Sequence, residues 1–211
     1  MQKDAWNRIE AWLAKNAPKL IGNLNPGATG AEIAETEQAT GITFPESFRK
    51  LYRQHNGLND DDNSGSLFFG MNFLTLEGVQ QNHALRVGSP DDSVPVRSAD
   101  PGIDLADIFN PKWIPFAHDF GECLLCVDTS PGQGGTVGQV VFVDGAAGVD
   151  TVILVASSLD DFLSEFADNL ESGKHFLNAD ALEEGNEFLD CVKDIDIVNW
   201  SRSPKWKHLD R

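Results

Sequence analysis

Residues 113–144 read WIPFAHDFGECLLCVDTSPGQGGTVGQVVFVD, and this stretch decides the fold. Its short apolar runs alternate with turn-forming clusters, which is the pattern of a β-meander. The predicted strands and connections are strands at 113–117, 122–128 and 139–144, a tight turn at 118–121 and a Gly- and Pro-rich connection at 129–138.

The middle strand of this meander is apolar on both faces. Side chains alternate between the two faces of a strand, so its residues divide into Cys123, Leu125 and Val127 on one side and Leu124, Cys126 and Asp128 on the other. We therefore expect helices to pack against at least one face of the sheet.

Helical patterns precede and follow the meander. Trp6, Ile9 and Leu13 recur at helical spacing, and that helix should end before Pro18. A second helix is predicted from a capping box of Thr29 and Glu32 to Gly41. The other predictions of this kind are a helix from Pro45 to Gly57, a strand at 151–156, and a helix that Ser157 or Ser158 caps and Gly173 ends.

Three segments between and after these elements have weaker patterns. Residues 67–76 predict a strand, with a break at Gly70 left open, and residues 77–87 predict a helix. Prolines and the lack of periodicity in 88–107 indicate a long surface excursion.

The tail after residue 173 contains a further predicted helix, at 179–192. It ends with Trp200 and Trp206, for which folding back onto the domain is favoured over an intermolecular contact. The sequence thus predicts a domain over 1–173 and a helical extension over 174–211 that packs on it.

Composition excludes several classes of protein. The chain of 211 residues carries 33 acidic and 16 basic residues, a formal net charge of −17, which argues against binding to nucleic-acid phosphate. The negative surplus serves either solubility alone or the attraction of basic proteins. The absence of a long apolar run and of a signal-peptide pattern, together with only three cysteines, predicts a cytoplasmic protein that does not enter a membrane.

Motifs for phosphate, redox or acid–base chemistry were tested against the predicted strands. Cys123 and Cys126 have the spacing of a redox or zinc pair, but on one strand they point to opposite faces, so buried structural cysteines are favoured. The loop 130–139 lacks the Lys and the following helix of a phosphate-binding loop. His118 and Asp119 are better explained by a turn or a binding surface than by a hydrolase.

An acidic turn near residue 60 resembles the first half of a calcium-binding loop. Asp60, Asp61 and Asp62 begin this turn, but Met71 occupies the position where the bidentate glutamate is needed. A solvated turn is therefore favoured over a cation site, and the sequence predicts no metal, no cofactor and no catalytic residues.

The order of the short motifs resembles the SMI1/KNR4 family, also called the SUKH superfamily, over residues 1–172. The matching motifs are the helix from Trp6 to Leu13, Asn25-Pro-Gly-Ala-Thr29 with Ile33 and Glu37, Gly41-Ile-Thr-Phe-Pro45, Leu51-Tyr52 with His55-Asn56-Gly57, Trp113-Ile-Pro115, Asp119, Gly121, Cys126-Val-Asp128, the loop 131–135, and Gly138-Gln-Val140 with Asp144. The resemblance implies an α+β fold, in which a mostly antiparallel central sheet is flanked by helices, and it implies no catalytic site.

The same resemblance implies a protein-binding function. Bacterial members resemble immunity proteins that neutralise a toxin by binding it, and fungal members are linked to cell-wall synthesis and signalling. The absence of long disordered flanks favours an immunity protein, and the acidic surface favours a basic toxin domain as its partner. A regulatory scaffold in cell-wall synthesis or signalling is the alternative, and the oligomeric state is left open.

The predicted contact surface combines three loops, which are 59–66, the turn at Asp119 and the connection 129–138. The residues predicted to bind the partner are Asp60, Asp61, Asp62, Asp119, Gly121, Asp128 and Gln133.

Overall fold

The computed structural model describes residues 4–59, 65–87 and 93–209. The helices in these residues are α1 (Ala5–Asn16), α2 (Pro18–Gly22), α3 (Gly30–Thr40), α4 (Glu46–Gln54), α5 (Leu76–Arg86), α6 (Leu159–Glu171) and α7 (Ala179–Glu183). The strands are β1 (Gly65–Ser66), β2 (Asn72–Phe73), β3 (Ser98–Ala99), β4 (Trp113–His118), β5 (Cys123–Asp128), β6 (Gln139–Asp144), β7 (Thr151–Ala156), β8 (His175–Leu177) and β9 (Glu187–Cys191). Two short 3-10 turns, Trp200–Arg202 and Lys207–Leu209, follow.

The central sheet has six strands in the order β2-β4-β5-β6-β7-β3. Its pairs are antiparallel except that of β3 with β7, which is parallel. The predicted meander is confirmed, with Trp113 opposite Asp128 and Cys123 opposite Asp144. The predicted α+β class, a mostly antiparallel sheet with helices, is confirmed as well.

The two faces of the middle strand enter two separate cores. Cys123, Leu125 and Val127 belong to the main core, whereas Leu124 and Cys126 belong to a smaller core on the other face. The two thiols of the Cys-x-x-Cys motif therefore lie on opposite sides of the sheet, as predicted. Burial raises the pKa of Cys126 to about 12, so this thiol stays protonated and unreactive.

Helices and aromatic side chains form the main core. Phe68 lies at its centre, with ring centroids 5.1 to 5.7 Å from those of Phe73, Phe116, Phe162 and Phe166. Each of these fully buried rings contributes on the order of 2 kcal/mol of hydrophobic stabilisation. The main core thus joins β2 and β4 to α6.

Local signals set the helix ends as predicted. The Thr29 hydroxyl accepts from the Glu32 backbone N–H at 3.3 Å, and the Glu32 carboxylate accepts from the Thr29 N–H at 2.7 Å, which completes the capping box of α3. Ser158 caps α6 by accepting from the Asp161 N–H at 3.1 Å. The prediction at Pro18 was incomplete. The first helix ends before Pro18, as predicted, but Pro18 also begins α2, which was not predicted.

The predicted strand over 67–76 is wrong for most of its length. Phe69 and Gly70 have φ values of 54° and 80°, so the chain turns there instead of running straight. Only Asn72–Phe73 joins the sheet, and Leu76 already begins α5. The break at Gly70 that the sequence left open is therefore present.

The segment 88–107 is more than a surface excursion. Residues 88–92 lie outside the described part of the chain, but Val96, Ile103 and Ile108 are buried in the smaller core. Ser98–Ala99 also pairs with β7 as the edge strand of the sheet. Part of the segment that was predicted to be a surface excursion therefore covers the second face of the sheet.

The prediction of a helix over 179–192 and of a helical extension is wrong beyond Glu183. Gly185, with φ of 85°, follows α7. The next residues form β9, which pairs with β8 and, in parallel, with β1. Residues in β9 alternate between buried and half-buried, which is the period of a strand.

The last residues of the described chain fold back as expected. The indole N–H of Trp206 donates to the Ile195 carbonyl at 2.9 Å, and that of Trp200 donates to the Asp144 carboxylate at 2.9 Å. Trp206 and Leu209 are buried in the main core. No helix within the described residues has the length and apolarity to cross a membrane.

Acid should destabilise the fold through His175. This side chain is 1% exposed between Phe69 and Phe166, and burial lowers its pKa to about 4. In the unfolded chain this histidine has the ordinary pKa of about 6.5, so between that pH and pH 4 only the unfolded state binds the proton. The unfolding free energy that is present above about pH 6.5 is therefore lost progressively as the pH falls toward 4. Between about pH 7 and pH 5, the unfolding free energy of the wild-type chain should therefore fall by about 2 kcal/mol more than that of His175→Leu.

Denaturant unfolding at both pH values measures this difference. His208→Gln is the control, because His208 is an exposed histidine and its loss should leave that acid dependence in place. An unchanged acid dependence in His175→Leu would show that His175 is not the group responsible.

Candidate functional site

The tip of the β4–β5 hairpin is held rigid by Asp119. Its Oδ1 accepts hydrogen bonds from the backbone N–H groups of Gly121 at 2.8 Å and Cys123 at 3.0 Å. An aspartate that binds the backbone two residues ahead is a standard way to fix a turn. A Cβ at Gly121 would lie 3.3 Å from this carboxylate, so a small residue suits the position.

Phe120 protrudes from this rigid turn. Its side chain is 66% exposed, and its φ of 62° lies in the left-handed region that residues other than Gly and Asn seldom adopt. The His118 ring lies 4.4 Å away, centroid to centroid, and supports the Phe120 ring from one side. An exposed aromatic side chain in a strained conformation points to a functional role rather than a structural one.

A groove of about 250 Å³ begins beside this turn. It is formed by the tail and the turn before β2, and its lining residues are Phe69, Gly70, Asp119, Asn178, Phe188, Leu189, Asp190, Asp196, Val198 and Asn199. We call Phe120 and this groove together the hairpin-tip surface.

The carboxylates of the hairpin-tip surface are held by amides. Asp190 accepts from the Asn178 side-chain amide at 3.2 Å, and Asp196 accepts from the Asn199 backbone and side-chain amides at 3.0 and 2.8 Å. Within the described residues, neither of them nor Asp119 forms an ion pair with a cation. Their negative charge is therefore fixed in place and not neutralised by a neighbouring side chain.

The structure does not bring all the predicted contact residues together. Asp60, Asp61 and Asp62 lie outside the described residues. Asp119 and Gly121 occupy the hairpin tip, whereas Asp128 and Gln133 lie at the opposite end of β5, about 17 Å away for a strand of this length. Whether these residues bind a partner stays a prediction, but one small contact area could not include both ends.

Asp128 has a structural role that its sequence position did not reveal. Its carboxylate is fully buried and accepts from the Ser130 N–H at 3.0 Å and from the Gln139 side-chain amide at 2.9 Å. Burial raises the pKa of this carboxyl. The Gln139 amide also donates to the Gly102 carbonyl at 3.1 Å, which fixes the connection 129–138 against the segment before β4. Gln133, by contrast, is exposed on that connection.

The geometry offers no support for the alternative of acid–base catalysis. Asp119 uses Oδ1 to hold the turn, and the ring of His118 packs on Phe120. In the part of the chain that the structure describes, no three His, Cys, Asp or Glu side chains are grouped so that they could hold a metal ion.

Sequence reasoning missed the residues that complete this surface. Phe120 was read as part of a turn, although an aromatic residue between Asp and Gly is unusual there and could have drawn notice. Asp190 and Asp196 had no such signal, because the tail was predicted to be helical and its position against the hairpin depends on distant contacts.

The six-stranded, mostly antiparallel sheet with its helices forms a domain of the SMI1/KNR4 type. The model of the SMI1/KNR4 family (SUKH-1) matches residues 27–165, and the chain belongs to this family. The predicted resemblance is thereby confirmed.

Fungal relatives have names that describe regulation. The chain is 29% identical to the cell wall biosynthesis/cell cycle regulator smi1 of Schizosaccharomyces pombe, over 84% of this chain and 38% of that protein. It is 24% identical to the cell wall assembly regulator SMI1 of Saccharomyces cerevisiae, over 82% of this chain and 41% of that protein. It is also 24% identical to a glucan synthesis regulatory protein of Neurospora crassa, over 85% and 40%.

These comparisons favour the regulatory alternative over toxin neutralisation. The relatives are named as regulators and not as enzymes, and none of the three names mentions a toxin. The chain spans about two fifths of the length of these relatives, 38 to 41%.

Replacing Phe120 should not weaken the fold. We expect Phe120→Asn to leave the unfolding free energy unchanged or to raise it by up to about 1 kcal/mol, because Asn tolerates positive φ. Phe116→Ala is the comparison, since Phe116 is fully buried and its truncation should cost about 3–5 kcal/mol. Guanidinium unfolding measures both values. A loss of more than about 1 kcal/mol in Phe120→Asn would mean that Phe120 stabilises the fold through His118.

Proposed function

We propose that this chain is a non-enzymatic protein-binding domain of a regulator of cell-wall or glucan synthesis. The observation that carries the proposal is Phe120, an exposed aromatic side chain on a rigid turn beside an acidic groove. The names of the fungal relatives support the choice of process.

Phe120 has the properties of an anchor residue. Interfaces obtain most of their binding energy from a few side chains, often aromatic, that become fully buried. The backbone at Phe120 loses little conformational freedom on binding, because two N–H groups that donate to the Asp119 carboxylate already fix its turn. The partner should therefore provide an apolar pocket or side chain for this ring.

Electrostatics defines the second property of the partner. Asp119, Asp190 and Asp196 line the groove beside Phe120, and the whole chain has a net charge of −17. A basic segment next to an apolar residue fits this arrangement, and attraction over a distance would speed its encounter. Such binding should weaken with added salt, because mobile ions screen exposed charges.

A chimera tests this function in cells. The matched region of the Schizosaccharomyces pombe relative is replaced by this chain, and growth under cell-wall stress and wall glucan content are measured. We expect the chimera to support growth under cell-wall stress and a normal wall glucan content. The Phe120→Asn chimera should lose most of this support while its protein level is unchanged.

Val137→Thr provides the matched control. Val137 is 66% exposed, like Phe120, but lies on the connection 129–138 at the other end of the hairpin. Full activity of the Phe120→Asn chimera would remove the hairpin-tip surface as the contact. A stable, abundant wild-type chimera without activity would contradict the proposed role in cell-wall regulation.

A further inference from the structure

A second and larger groove, of about 970 Å³, lies at the β3 edge of the central sheet. One side is the edge strand with Arg97 and Ser98, and the other is the 3-10 turn with Trp200 and Arg202. Leu105 and Leu209 add apolar surface, and Leu105 is 55% exposed. We call this concavity the edge groove.

Arg202 is held in place by buried neighbours. Trp200 on one side is fixed by its bond to Asp144, and Ser203 on the other is fully buried and donates to the Asp194 carbonyl at 2.9 Å. The backbone of the turn is closed by the Arg202 N–H, which donates to the Asn199 carbonyl at 2.9 Å. The exposed guanidinium of Arg202 is therefore carried by a rigid backbone.

Arg202 is also electrostatically available. Among the described residues it forms no ion pair, whereas most arginines of this acidic chain do, including Arg8, Arg49 and Arg53. Nearby Asp144 is already occupied by the Trp200 indole N–H. Arg86 also forms no ion pair among the described residues, but it is half-buried and donates to the Glu122 carbonyl at 3.2 Å, whereas Arg202 is exposed.

Arg97 places a second guanidinium in the same groove, and this one is paired with Asp150. Its Nε lies 3.0 Å from the Asp150 carboxylate, and its backbone N–H donates to the Asp150 carbonyl at 2.8 Å. Asp150 is 4% exposed, so it holds Arg97 from the protein interior, while the Arg97 side chain is 66% exposed. Two arginines anchored on different elements thus line one open concavity.

We propose that the edge groove binds an acidic segment, rich in Asp and Glu, of a partner protein. Guanidinium groups bind carboxylates in two-pronged geometry, and the exposed Leu105 would cover an apolar part of the segment. The net charge of −17 opposes every polyanion at long range, but least a short segment with few charges, so an acidic peptide segment is favoured over a nucleic acid. This inference goes beyond the proposed function and does not depend on Phe120.

Fluorescence anisotropy with labelled peptides tests the proposal. The probes are a short Asp- and Glu-rich peptide containing leucines and the same peptide with Asn and Gln in place of the acids. We expect the acidic peptide alone to bind, and Arg202→Glu to weaken it by about tenfold or more. Lys15→Glu makes the same change of charge on α1, outside the groove, and should change the affinity by less than about twofold.

Three results would overturn the inference. The first is that the acidic peptide fails to bind the wild-type chain. The second is that Lys15→Glu weakens binding as much as Arg202→Glu does. The third is that inorganic phosphate alone displaces the peptide and binds as tightly as the peptide does. Arg202→Gln guards against misfolding, since it should weaken binding without adding a negative charge, with an unchanged unfolding curve. Unchanged peptide binding by Phe120→Asn would separate the edge groove from the hairpin-tip surface, whereas its loss would contradict an independent site.

Discussion

The structure depends on the burial of both faces of the central strands. β5 has no exposed residue, and its neighbours β4 and β6 are each buried at five of six positions. A sheet that is apolar on both faces must be covered on both, because exposed apolar strands cost free energy and invite aggregation. Helices α1, α4 and α6 contribute to the main core on one face, and residues 93–109 contribute to the smaller core on the other.

Because both faces of the sheet are buried, functional groups can be exposed at the ends of its strands but not on its faces. At one end Asp128 is itself buried and holds the connection 129–138 in place. At the other end Asp119 holds a turn from which Phe120 projects. Two aspartates with similar positions in the sequence pattern therefore have different consequences, and only the second holds a turn with an exposed aromatic side chain.

Features that depend on neighbouring residues could be predicted from the sequence. The capping box of Thr29 and Glu32, the alternation along β5 and the glycines of the connection 129–138 are encoded within a few residues. The fate of residues 187–191 is different, because β9 pairs with β1, more than a hundred residues earlier. No local pattern reveals that partner, so the helical propensity of the tail decided the prediction and gave the wrong result there.

The hairpin-tip surface, the candidate site, could be predicted only in part for the same reason. Asp119 and Gly121 were found because a turn between two strands is a local signal, but their neighbours in the groove come from the distant tail. The argument for toxin neutralisation rested on the absence of long flanks, and that absence carries no weight when the relatives contain the same region within longer proteins. Similarity of the shared region, rather than length, is what connects the chain to regulators.

The tail also determines where charge is placed on the molecule. Val198 and Asn199 line both grooves, so the acidic hairpin-tip surface and the edge groove with its two arginines lie on either side of one short segment. Asp190, Asp196 and Arg202 all follow residue 165, where the match to the family ends. The family-matched region therefore supplies the sheet and the aromatic anchor, while the tail supplies most of the charges beside it. Because like charges repel a wrong partner as strongly as opposite charges attract the right one, we expect changes in this tail to alter the binding of the proposed partners without disturbing the buried sheet.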